Sequence, residues 1–548
     1  MTYCYLFEAK SIQTYLFSSG RLVDIIAASE RLDKLIDSSE TSLLGQVLNT
    51  LGLTHDIDDA DQGQCDIHFL RCKGGAFYAY SHKQETINQL RSLWTLTLQQ
   101  AFPSLLFADA LANGDTLRQA LDKGFKALNS SKNNPTPRAH VATAPLERHP
   151  RTGQAAMTPS ALAQRASKNE RIGSRTATDI DTDLHRQADY ALAIRQSSDL
   201  QQRFTPDDAG DVQYLYDLEH DFEGNDIALI HVDGNGLGQL LQSLRQLLND
   251  SSEEEYRKVF RAFSEAINSA TIVAAKHATQ ALINASAADI IPIRPIVLGG
   301  DDLTLLCDAA HAMRYTENFI LMFEAETEQR LKAVFAQLQQ SDKQKLQQLP
   351  QRLTASGGIA YHKASHPYVQ TSALVESLTA AAKNVDRTQS HISFCRVSNT
   401  LADDYQNYID RAQRFTLADG QRMTVAQPAY RVQPDQSQSI TALRALTRAS
   451  SKTNAPVSMN RWRKMLAELA KGNRYEAQRI YERGFELSKT SATEFEPLIQ
   501  QVINVNSSST FKHWFSDDGA GNYYSPIADL LTLAHFEPQQ GSANDVDA

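Results

Sequence analysis

Two adjacent aspartates, Asp301 and Asp302, follow Gly299 and Gly300 in the stretch LGGDDLTLLCD, residues 298–308. The apolar runs on both sides predict two strands joined by a tight turn, because glycine adopts positive φ without steric cost. A turn by itself does not require two carboxylates. The stretch therefore has two interpretations: an acidic β-hairpin, or a hairpin that binds a metal ion and does chemistry.

A third carboxylate, Asp233, ends an apolar strand in HVDGNGLG. We expect this strand to lie beside the first strand of the hairpin, so that Asp233, Asp301 and Asp302 converge at one end of a sheet. Close carboxylates raise one another's pKa unless a divalent cation neutralises them. All-oxygen ligation favours Mg²⁺ or Mn²⁺ over zinc. Two such ions would serve nucleotidyl transfer, with these aspartates as metal ligands and catalytic residues.

Small residues and one lysine near the aspartates are the candidates for nucleotide binding. The glycines allow a backbone to approach a nucleotide closely, and the N-terminal N–H groups of the helix after Gly238 can receive phosphate oxygens. The lysine is a point charge that can reach a triphosphate, or else an exposed lysine of a surface helix. These candidates are Gly234, Asn235, Gly236, Gly299, Gly300 and Lys383.

The elements that would position these residues occur twice in the chain. The order strand-helix-strand-strand-helix-strand is predicted for residues 1–140 and again for residues 223–400. Glu8 lies 225 residues before Asp233, and the pair Gly74-Gly75 lies 225 residues before Gly299-Gly300. This shared offset indicates an internal duplication. At the positions of Asp301 and Asp302 the first copy then has Ala76 and Phe77, so it is predicted to have lost its acidic cluster.

The predicted fold class is α+β, with two ferredoxin-like (βαββαβ) domains and a C-terminal domain that is mainly helical. The expected domains are 1–140, the degenerate first copy; 141–222, a linker or small helical domain; 223–400, the copy with the aspartates; and 401–548, ending in a disordered tail. Segment 141–222 is polar and rich in arginine, which is typical of a solvated surface or of a contact with RNA, a nucleotide or a partner.

Composition excludes several classes of protein. A net charge of −10 argues against a surface that coats nucleic acid broadly, although not against a local basic site. The five cysteines form no CxxC pair, which predicts neither a disulfide framework nor a zinc site and favours a reducing, cytoplasmic compartment. No apolar run approaches the roughly 18 residues that span a bilayer, so no membrane contact is expected.

Several of these stretches resemble the palm domains of the large, polymerase-like subunit of type III CRISPR effector complexes. They are LGGDDLTLL, IHVDGNGLG, LTASGGIAYHKASHPY, ALVESLTAAAKN and the opening FEAKSIQTYLFSSGRLVDIIAASERL. Palm domains are related to GGDEF-type diguanylate cyclases and class III nucleotidyl cyclases. The resemblance covers about residues 1–400, and it includes the asymmetry between a degenerate first palm and a second palm with GGDD.

The resemblance implies a cyclic oligoadenylate synthase in antiviral defence, which uses ATP and two Mg²⁺ or Mn²⁺ ions and is switched on by target RNA. It implies partners among the subunits of a crRNA-guided complex. The acceptor ATP is expected against the first palm, near Ser29 in the segment AASE and near Phe77 and Tyr78, which either stack on a base or belong to the core. A C-terminal helical domain is also expected.

Three departures from the family are visible. The chain starts in the first palm, without the HD-type nuclease domain of many members, so an HD-less variant without DNase activity is expected. No cysteine lies between the palms, so a zinc ribbon expected there from the family is metal-free or absent, and Asn235 stands where some relatives have a second carboxylate. A catalytically silent scaffold subunit and a cyclic-dinucleotide synthase therefore remain alternatives. If the chain works alone, a homodimer is expected.

Overall fold

The computed structural model describes most of the chain, but it leaves the region between the two copies largely undescribed. The described residues are 1–17, 22–37, 41–57, 65–73, 75–133, 199–209, 213–214, 226–248, 251–285, 290–336, 338, 349–397, 404–434, 436–488, 492–503, 514–517 and 521–537. The arginine-rich segment and the predicted disordered tail, apart from Glu537, lie outside these residues, except for short pieces near residues 199–214.

The first copy is a four-stranded antiparallel sheet with the strand order β2-β3-β1-β4. Its strands are β1 (Thr2–Lys10), β2 (His68–Lys73), β3 (Ala76–Ser81) and β4 (Leu106–Gly114). Its helices are α1 (Ile12–Phe17), α2 (Leu22–Asp33), α3 (Leu43–Leu51), α4 (Gln84–Ala101) and α5 (Leu117–Asn133). Helix α3 was not predicted. It begins where Ser42 Oγ accepts a hydrogen bond from the Gly45 N–H and ends at Gly52, whose φ is 64°.

The second copy is built on a six-stranded sheet with the order β14-β11-β10-β6-β9-β8. These strands are β6 (Asp226–Gly234), β8 (Ile293–Gly299), β9 (Asp302–Asp308), β10 (Ala355–Lys363), β11 (His391–Arg396) and β14 (Tyr430–Arg431). The short strands β5 (Gln213–Tyr214) and β7 (Ile290–Ile291) form a separate pair. The helices are α6 (Asp199–Phe204), α7 (Leu237–Leu247), α8 (Glu253–Ala285), α9 (Ala309–Ala336) and α10 (Tyr368–Val385).

The order of the strands corrects one prediction. Strand β6 lies beside β9, the second strand of the hairpin, and not beside its first strand, β8. The helices after β6 lead to β8, which lies two strand positions from β6 in the sheet. The chain then turns back, and β9 occupies the position between β6 and β8. The run from Leu303 to Cys307, which is apolar except for Thr304, suits this central position, since a strand buried on both faces needs mostly apolar side chains.

Strand pairing also corrects the alignment of the two copies. Asp233 pairs with Asp302, whereas Glu8 pairs with Ala76. The counterpart of Asp302 is therefore Ala76 and not Phe77, and the counterpart of Asp301 is Gly75. A shift of one residue moves a side chain to the opposite face of a strand, so equal spacing in the sequence did not settle which residues are equivalent.

The C-terminal region is mainly helical, as predicted, and includes a small sheet. The helices are α11 (Tyr405–Tyr408), α12 (Ile440–Ser451), α13 (Met459–Ala470), α14 (Arg474–Leu487), α15 (Ala492–Ile503) and α16 (Ile527–Phe536). The sheet joins β12 (Arg414–Thr416), β13 (Arg422–Thr424), β16 (Asn522–Tyr524) and β15 (Ser516–Asp517) in that order. Strands β12 and β13 form a hairpin, with Gly420 at a φ of 80° in its turn.

Each copy covers the sheet of the other. The long helix α8 packs on the first sheet, where the rings of Phe260 and Tyr78 lie 6.5 Å apart. In return, Ile25 of α2 belongs to the same buried cluster as Leu229 of β6. Because both apolar clusters contain residues of both copies, the two copies share their cores instead of meeting through a polar interface.

A buried carboxylate ties the first copy to α8. Asp56 is 3% exposed and accepts hydrogen bonds from Arg257 Nη1, His68 Nδ1 and the Phe69 N–H, each 2.8 Å long. Burial by itself would raise the pKa of Asp56, but the bonds from His68 and Phe69 hold this pKa below its usual value. The ionised carboxylate therefore stabilises the contact between the copies.

We expect Asp56→Asn to lower the free energy of unfolding by about 3 to 5 kcal/mol, because a buried ion pair loses one charged partner. Since the folded-state pKa of Asp56 is lowered, its stabilisation is present above the unfolded pKa and is lost as the pH falls through the folded pKa. Urea denaturation at pH 7 and at decreasing pH measures both effects. The exposed Glu254→Gln on the same helix is the control, and equal stability of Asp56→Asn and the wild type would contradict the assignment.

Candidate functional site

The structure brings the three predicted carboxylates together. Asp233 lies at the end of β6, Asp301 in the turn between β8 and β9, and Asp302 at the start of β9. One carboxylate oxygen from each lies within 4.8 Å of the others. All three side chains are partly exposed, so a ligand from solvent can reach them. Among the residues that the structure describes, no other group of three potential ligands meets this distance.

Backbone geometry holds the carboxylates in this arrangement. Gly300 has a φ of 63°, which suits glycine, and its carbonyl accepts a 2.6 Å hydrogen bond from Thr271 Oγ1 of α8. At Gly234, a Cβ atom would lie 2.6 Å from Asp301 Oδ2. A side chain at position 234 would therefore push Asp301 out of the cluster. Glycine is required here because the backbone at position 234 lies so close to the Asp301 side chain.

Electrostatic repulsion is strong at this site. Burial and the negative charge of Asp233 raise the pKa of Asp301 to about 6, although its own backbone N–H, Arg71 and Lys383 act in the opposite direction. Burial and the neighbouring charges of Asp301 and Asp233 raise the pKa of Asp302 well above its usual value. The metal-free cluster is thus destabilised by its own charge, and an oxygen-ligated divalent cation would relieve that cost.

Lys383 contacts the cluster directly. Its ammonium group forms an ion pair with Asp233 Oδ2 and lies 3.2 Å from the Gly234 carbonyl oxygen. Only 19% of the side chain is exposed, so the alternative of an exposed helix lysine is wrong. The predicted reach of Lys383 to a triphosphate remains a prediction; in this structure the lysine neutralises part of the negative charge.

Two predicted nucleotide-binding residues are engaged inside the protein. Asn235 donates from its backbone N–H to the Thr354 carbonyl at 2.7 Å, and its side-chain amide bonds to Thr354 Oγ1 and Ser356 Oγ. Ser29 is 5% exposed and donates to the Ile296 carbonyl. Ser29 also lines the cavity beside the carboxylates. Nucleotide binding by Asn235 or Ser29 stays a prediction, and either side chain would have to give up its protein partners to bind a nucleotide with the same polar atoms.

Three of the predicted glycines, Gly236, Gly299 and Gly300, are partly exposed, whereas Gly234 is buried. A Cβ atom at Gly236, whose φ is 77°, would meet no atom within 4 Å, so the backbone at the start of α7 borders open space. Gly299 lines a cavity beside the carboxylates. These positions can admit phosphate groups close to the backbone, as their residue type suggested.

A cavity of about 420 Å³ lies between the two copies and reaches Asp233 and Asp302. Its volume suits a small-molecule ligand. One wall is β8 with Gly299, and the opposite wall is formed by α1 and α2 of the first copy. Its lining includes several residues that the sequence analysis did not identify, namely Ser11, Gln13, Asp33, His231 and Glu376.

Polar residues from both copies meet in this cavity. Gln13 Nε2 donates to Thr304 Oγ1 at 3.1 Å, and His231 Nδ1 lies 3.0 Å from the same oxygen. Ser11 has a φ of 51°, a left-handed conformation that is uncommon outside glycine and often found at functional sites. These residues lie in stretches that resemble the family, but the sequence did not single them out, because their contacts with each other join the two copies.

The cavity is acidic. Burial raises the pKa of Asp33 to about 6 even though Arg203 binds both of its oxygens, and burial also raises the pKa of Glu376. Together with Asp233 and Asp302, these groups would repel an unaccompanied triphosphate. A nucleotide would therefore enter this cavity together with cations.

The first copy offers no comparable cluster among its described residues. Both oxygens of Glu8 already have partners: Tyr78 donates to Oε1 at 2.7 Å, and Lys132 pairs with Oε2 at 2.6 Å. Phe77 and Tyr78 are at most 5% exposed, so they belong to the core, and base stacking by these rings is excluded in this conformation. The Glu8–Lys132 pair corresponds to the Asp233–Lys383 pair, but without the other two carboxylates.

Residues 226–391 match the family model of the second palm domain of Cas10/Cmr2. No curated protein matches the chain. The computed structure is similar to chains of crystal structures of the Csm1–Csm4 cassette. With pppApA bound, the match has a TM-score of 0.53 at 11% identity and covers 98% of this chain and 69% of that chain. With cA3 bound, the TM-score is 0.53 at 12% identity, and the match covers 98% of this chain and 70% of that chain. With one ATP bound, the TM-score is 0.52 at 11% identity, with the same two coverages.

These findings define the class of protein first: the chain has the fold of the palm-containing Csm1–Csm4 cassette chains. Residues 226–391 are a second palm domain of the Cas10/Cmr2 family, and the chain is Cas10-like. The resemblance to the large subunit of type III CRISPR complexes is thereby confirmed. Identities of 11 to 12% establish the fold and leave activity to be tested. In the described part of the chain, no helix combines the length and apolarity needed to cross a membrane.

We expect the double variant Asp301→Asn/Asp302→Asn to be more stable than the wild type at pH 7 without metal, by about 1 to 3 kcal/mol. The folded-state pKa of Asp301 is raised, so the wild type loses stability as the pH rises from about 4 through about 6. The difference should therefore shrink toward pH 4. Thermal unfolding in EDTA from pH 4 to pH 8 measures it.

Adding Mn²⁺ at pH 7 provides the second half of this test. The ion should raise the melting temperature of the wild type and not that of the double variant, because only the wild type has the ligands. Equal melting temperatures in EDTA across the pH range, or an equal response to Mn²⁺, would contradict a repulsive metal-binding cluster.

Proposed function

We propose that this chain is a metal-dependent nucleotidyltransferase that makes cyclic oligoadenylates from ATP in type III CRISPR antiviral defence. The observation that carries the proposal is the convergence of three carboxylates beside a cavity between the copies, within the segment that matches the Cas10/Cmr2 second palm. The similar Csm1–Csm4 cassettes were crystallised with pppApA, with cA3 and with ATP, which supports adenine nucleotides as substrates.

The reaction joins two ATP molecules. The 3′-hydroxyl oxygen of the acceptor forms a bond to the α-phosphorus of the donor, the bond from that phosphorus to the β-phosphate bridging oxygen breaks, and pyrophosphate leaves. The hydroxyl proton passes to solvent. Repeating the step and closing the chain on itself gives a ring. Most of the acceleration comes from positioning the two nucleotides and neutralising their charge.

The carboxylates fit a pair of divalent cations, because they offer only oxygen ligands and repel one another without a cation. Asp233, Asp301 and Asp302 would hold two Mg²⁺ or Mn²⁺ ions, which activate the attacking hydroxyl and stabilise the leaving oxygen. Thr271 keeps the turn in place through the Gly300 carbonyl. Lys383 balances the charge of Asp233 until a cation and a triphosphate arrive.

We propose a position for each of the two nucleotides from the residues of the cavity walls. The donor lies where Gly299 and the carboxylates border the cavity, and the acceptor lies against the wall from the first copy, near Ser11 and Gln13. The first copy therefore contributes binding surface and no metal ligands. This division agrees with the ion pairs that occupy Glu8.

Partners are proposed from the same comparisons. The similar chains come from Csm1–Csm4 cassettes, so we propose that this chain works with other subunits of a crRNA-guided complex and that target RNA switches on synthesis. A catalytically silent scaffold is the second candidate. It is favoured by one observation, since Asn235 replaces a carboxylate of some relatives and is used for internal hydrogen bonds.

We expect the wild type, incubated with labelled ATP and Mn²⁺ with and without RNA, to form cyclic products, and the variant Asp301→Ala/Asp302→Ala to form none. Loss of the metal ligands removes charge neutralisation at the reacting phosphate, which is worth at least about 10³-fold in rate. Chromatography of the products measures both. Glu254→Ala, an exposed carboxylate on α8, is the control.

Other outcomes discriminate between the alternatives. Bound ATP without product under every condition would favour the silent scaffold. Product from GTP and not from ATP would favour a cyclic-dinucleotide synthase. Full activity of the double variant would show that the site is assigned to the wrong residues.

A further inference from the structure

An arginine of the first copy lies against the acidic turn of the second copy. Arg71 is on β2, next to an irregularity in the pairing of β2 with β3. Its Nη2 atom lies 4.0 Å from the position that a Cβ atom would occupy at Gly300. Apart from the chain neighbours of Gly300, no other atom of the described residues lies within that distance of this position. The space on this side of the turn is therefore bordered by a guanidinium group.

Arg71 differs from the neighbouring cations in its partners. Lys73 pairs with Glu265 on α8, Lys383 pairs with Asp233, and Lys132 pairs with Glu8. By contrast, no described carboxylate lies within ion-pair distance of Arg71. Its side chain is partly exposed and lies over the Tyr78 ring, with Cζ 5.9 Å from the ring centroid.

The ring under Arg71 is itself held firmly. Tyr78 is 5% exposed, its hydroxyl donates to Glu8, and its ring packs against Phe125 and Phe260. A guanidinium supported on an aromatic face keeps its planar set of N–H donors available for a second partner. The structure thus holds an oriented cation beside the turn that carries Asp301.

We propose that Arg71 binds a phosphate of the nucleotide held at Asp233, Asp301 and Asp302, and so completes the site from the other copy. The proposal rests on the proposed function and deepens it by naming a further phosphate-binding residue. A guanidinium matches phosphate oxygens in a bidentate geometry. Gly300 has no side chain between the turn and Arg71, so no side chain at this position blocks a phosphate oxygen from approaching the guanidinium group.

The distance between Arg71 and the turn is maintained by a shared support. Helix α8 contacts both sides, because Phe260 packs on Tyr78 and Thr271 donates to the Gly300 carbonyl. The two residues are 11 positions apart on one helix, about 16 Å along its axis. A rigid helix therefore sets the spacing between the first copy's arginine and the second copy's carboxylates.

The test compares Arg71→Ala and Arg71→Lys with the wild type, and uses Lys73→Ala as the matched control. Lys73 is a cation on the same strand whose charge is already paired with Glu265. Titration calorimetry with Mn²⁺ measures the affinity for ATP and, separately, for adenosine. Initial rates of labelled ATP consumption give kcat and KM, and thermal unfolding verifies that each variant is folded.

We expect Arg71→Ala to weaken ATP binding about tenfold, leave adenosine binding unchanged and lower kcat/KM about 10²-fold, because a charge-assisted phosphate contact is lost. Arg71→Lys should recover part of the lost ATP affinity and part of the lost kcat/KM, since lysine restores the positive charge but not the planar set of guanidinium donors. Lys73→Ala should resemble the wild type.

Two results would overturn the proposal: ATP affinity and rate equal to those of the wild type, or equal losses for ATP and adenosine, which would indicate a structural role. If the wild type makes no product, the proposed function fails on that result alone. The comparison of ATP with adenosine still tests Arg71 in that case, and a wild type that binds no ATP overturns both.

Discussion

Mutual repulsion among three carboxylates is the constraint on which this structure depends. The pairing of Asp233 with Asp302 and the two-residue turn before β9 force the charges together, and no protein group neutralises all of them. Lys383 offsets part of the charge of Asp233. The rest is a free-energy cost that the shared core must outweigh, and a divalent cation converts that cost into binding energy. The site is poised for cations before any nucleotide is present.

The surrounding fold stabilises such a site because each copy contributes different parts of it. The second copy supplies the carboxylates and the glycine turn, whereas the first supplies the opposite cavity wall and the helices that cover the second sheet. Helix α8 links these parts, with Asp56 bound at Arg257 and the turn bound at Thr271. Changes at the buried contact near Asp56 and changes at the turn therefore act on the same helix, over a distance of several helical turns.

Much of the fold follows from local patterns in the sequence. Apolar periodicity and glycine turns predicted the two βαββαβ units, the C-terminal helices and the convergence of Asp233 with the GGDD turn. Long-range pairing was beyond those patterns: β6 was expected beside β8, and β13 pairs with β16, which is almost 100 residues away. The internal hydrogen bonds of Asn235 and Ser29 were not foreseen either, because residue type does not show whether a polar side chain already has partners inside the protein. Ser11 and Gln13 lie in a stretch that resembles the family, but nothing in the sequence singled out these two residues or Arg71, since their proximity to the other copy arises only in the fold.

The exchange of covering helices between the copies has the geometry of an isologous dimer made within one chain. In a dimer of identical subunits, every substitution appears twice, and a change that removes a carboxylate removes it from both halves. Joining the halves covalently breaks that symmetry. One half can therefore carry all three acidic groups while the other has only Glu8 at the equivalent positions, a difference that two identical subunits could not show.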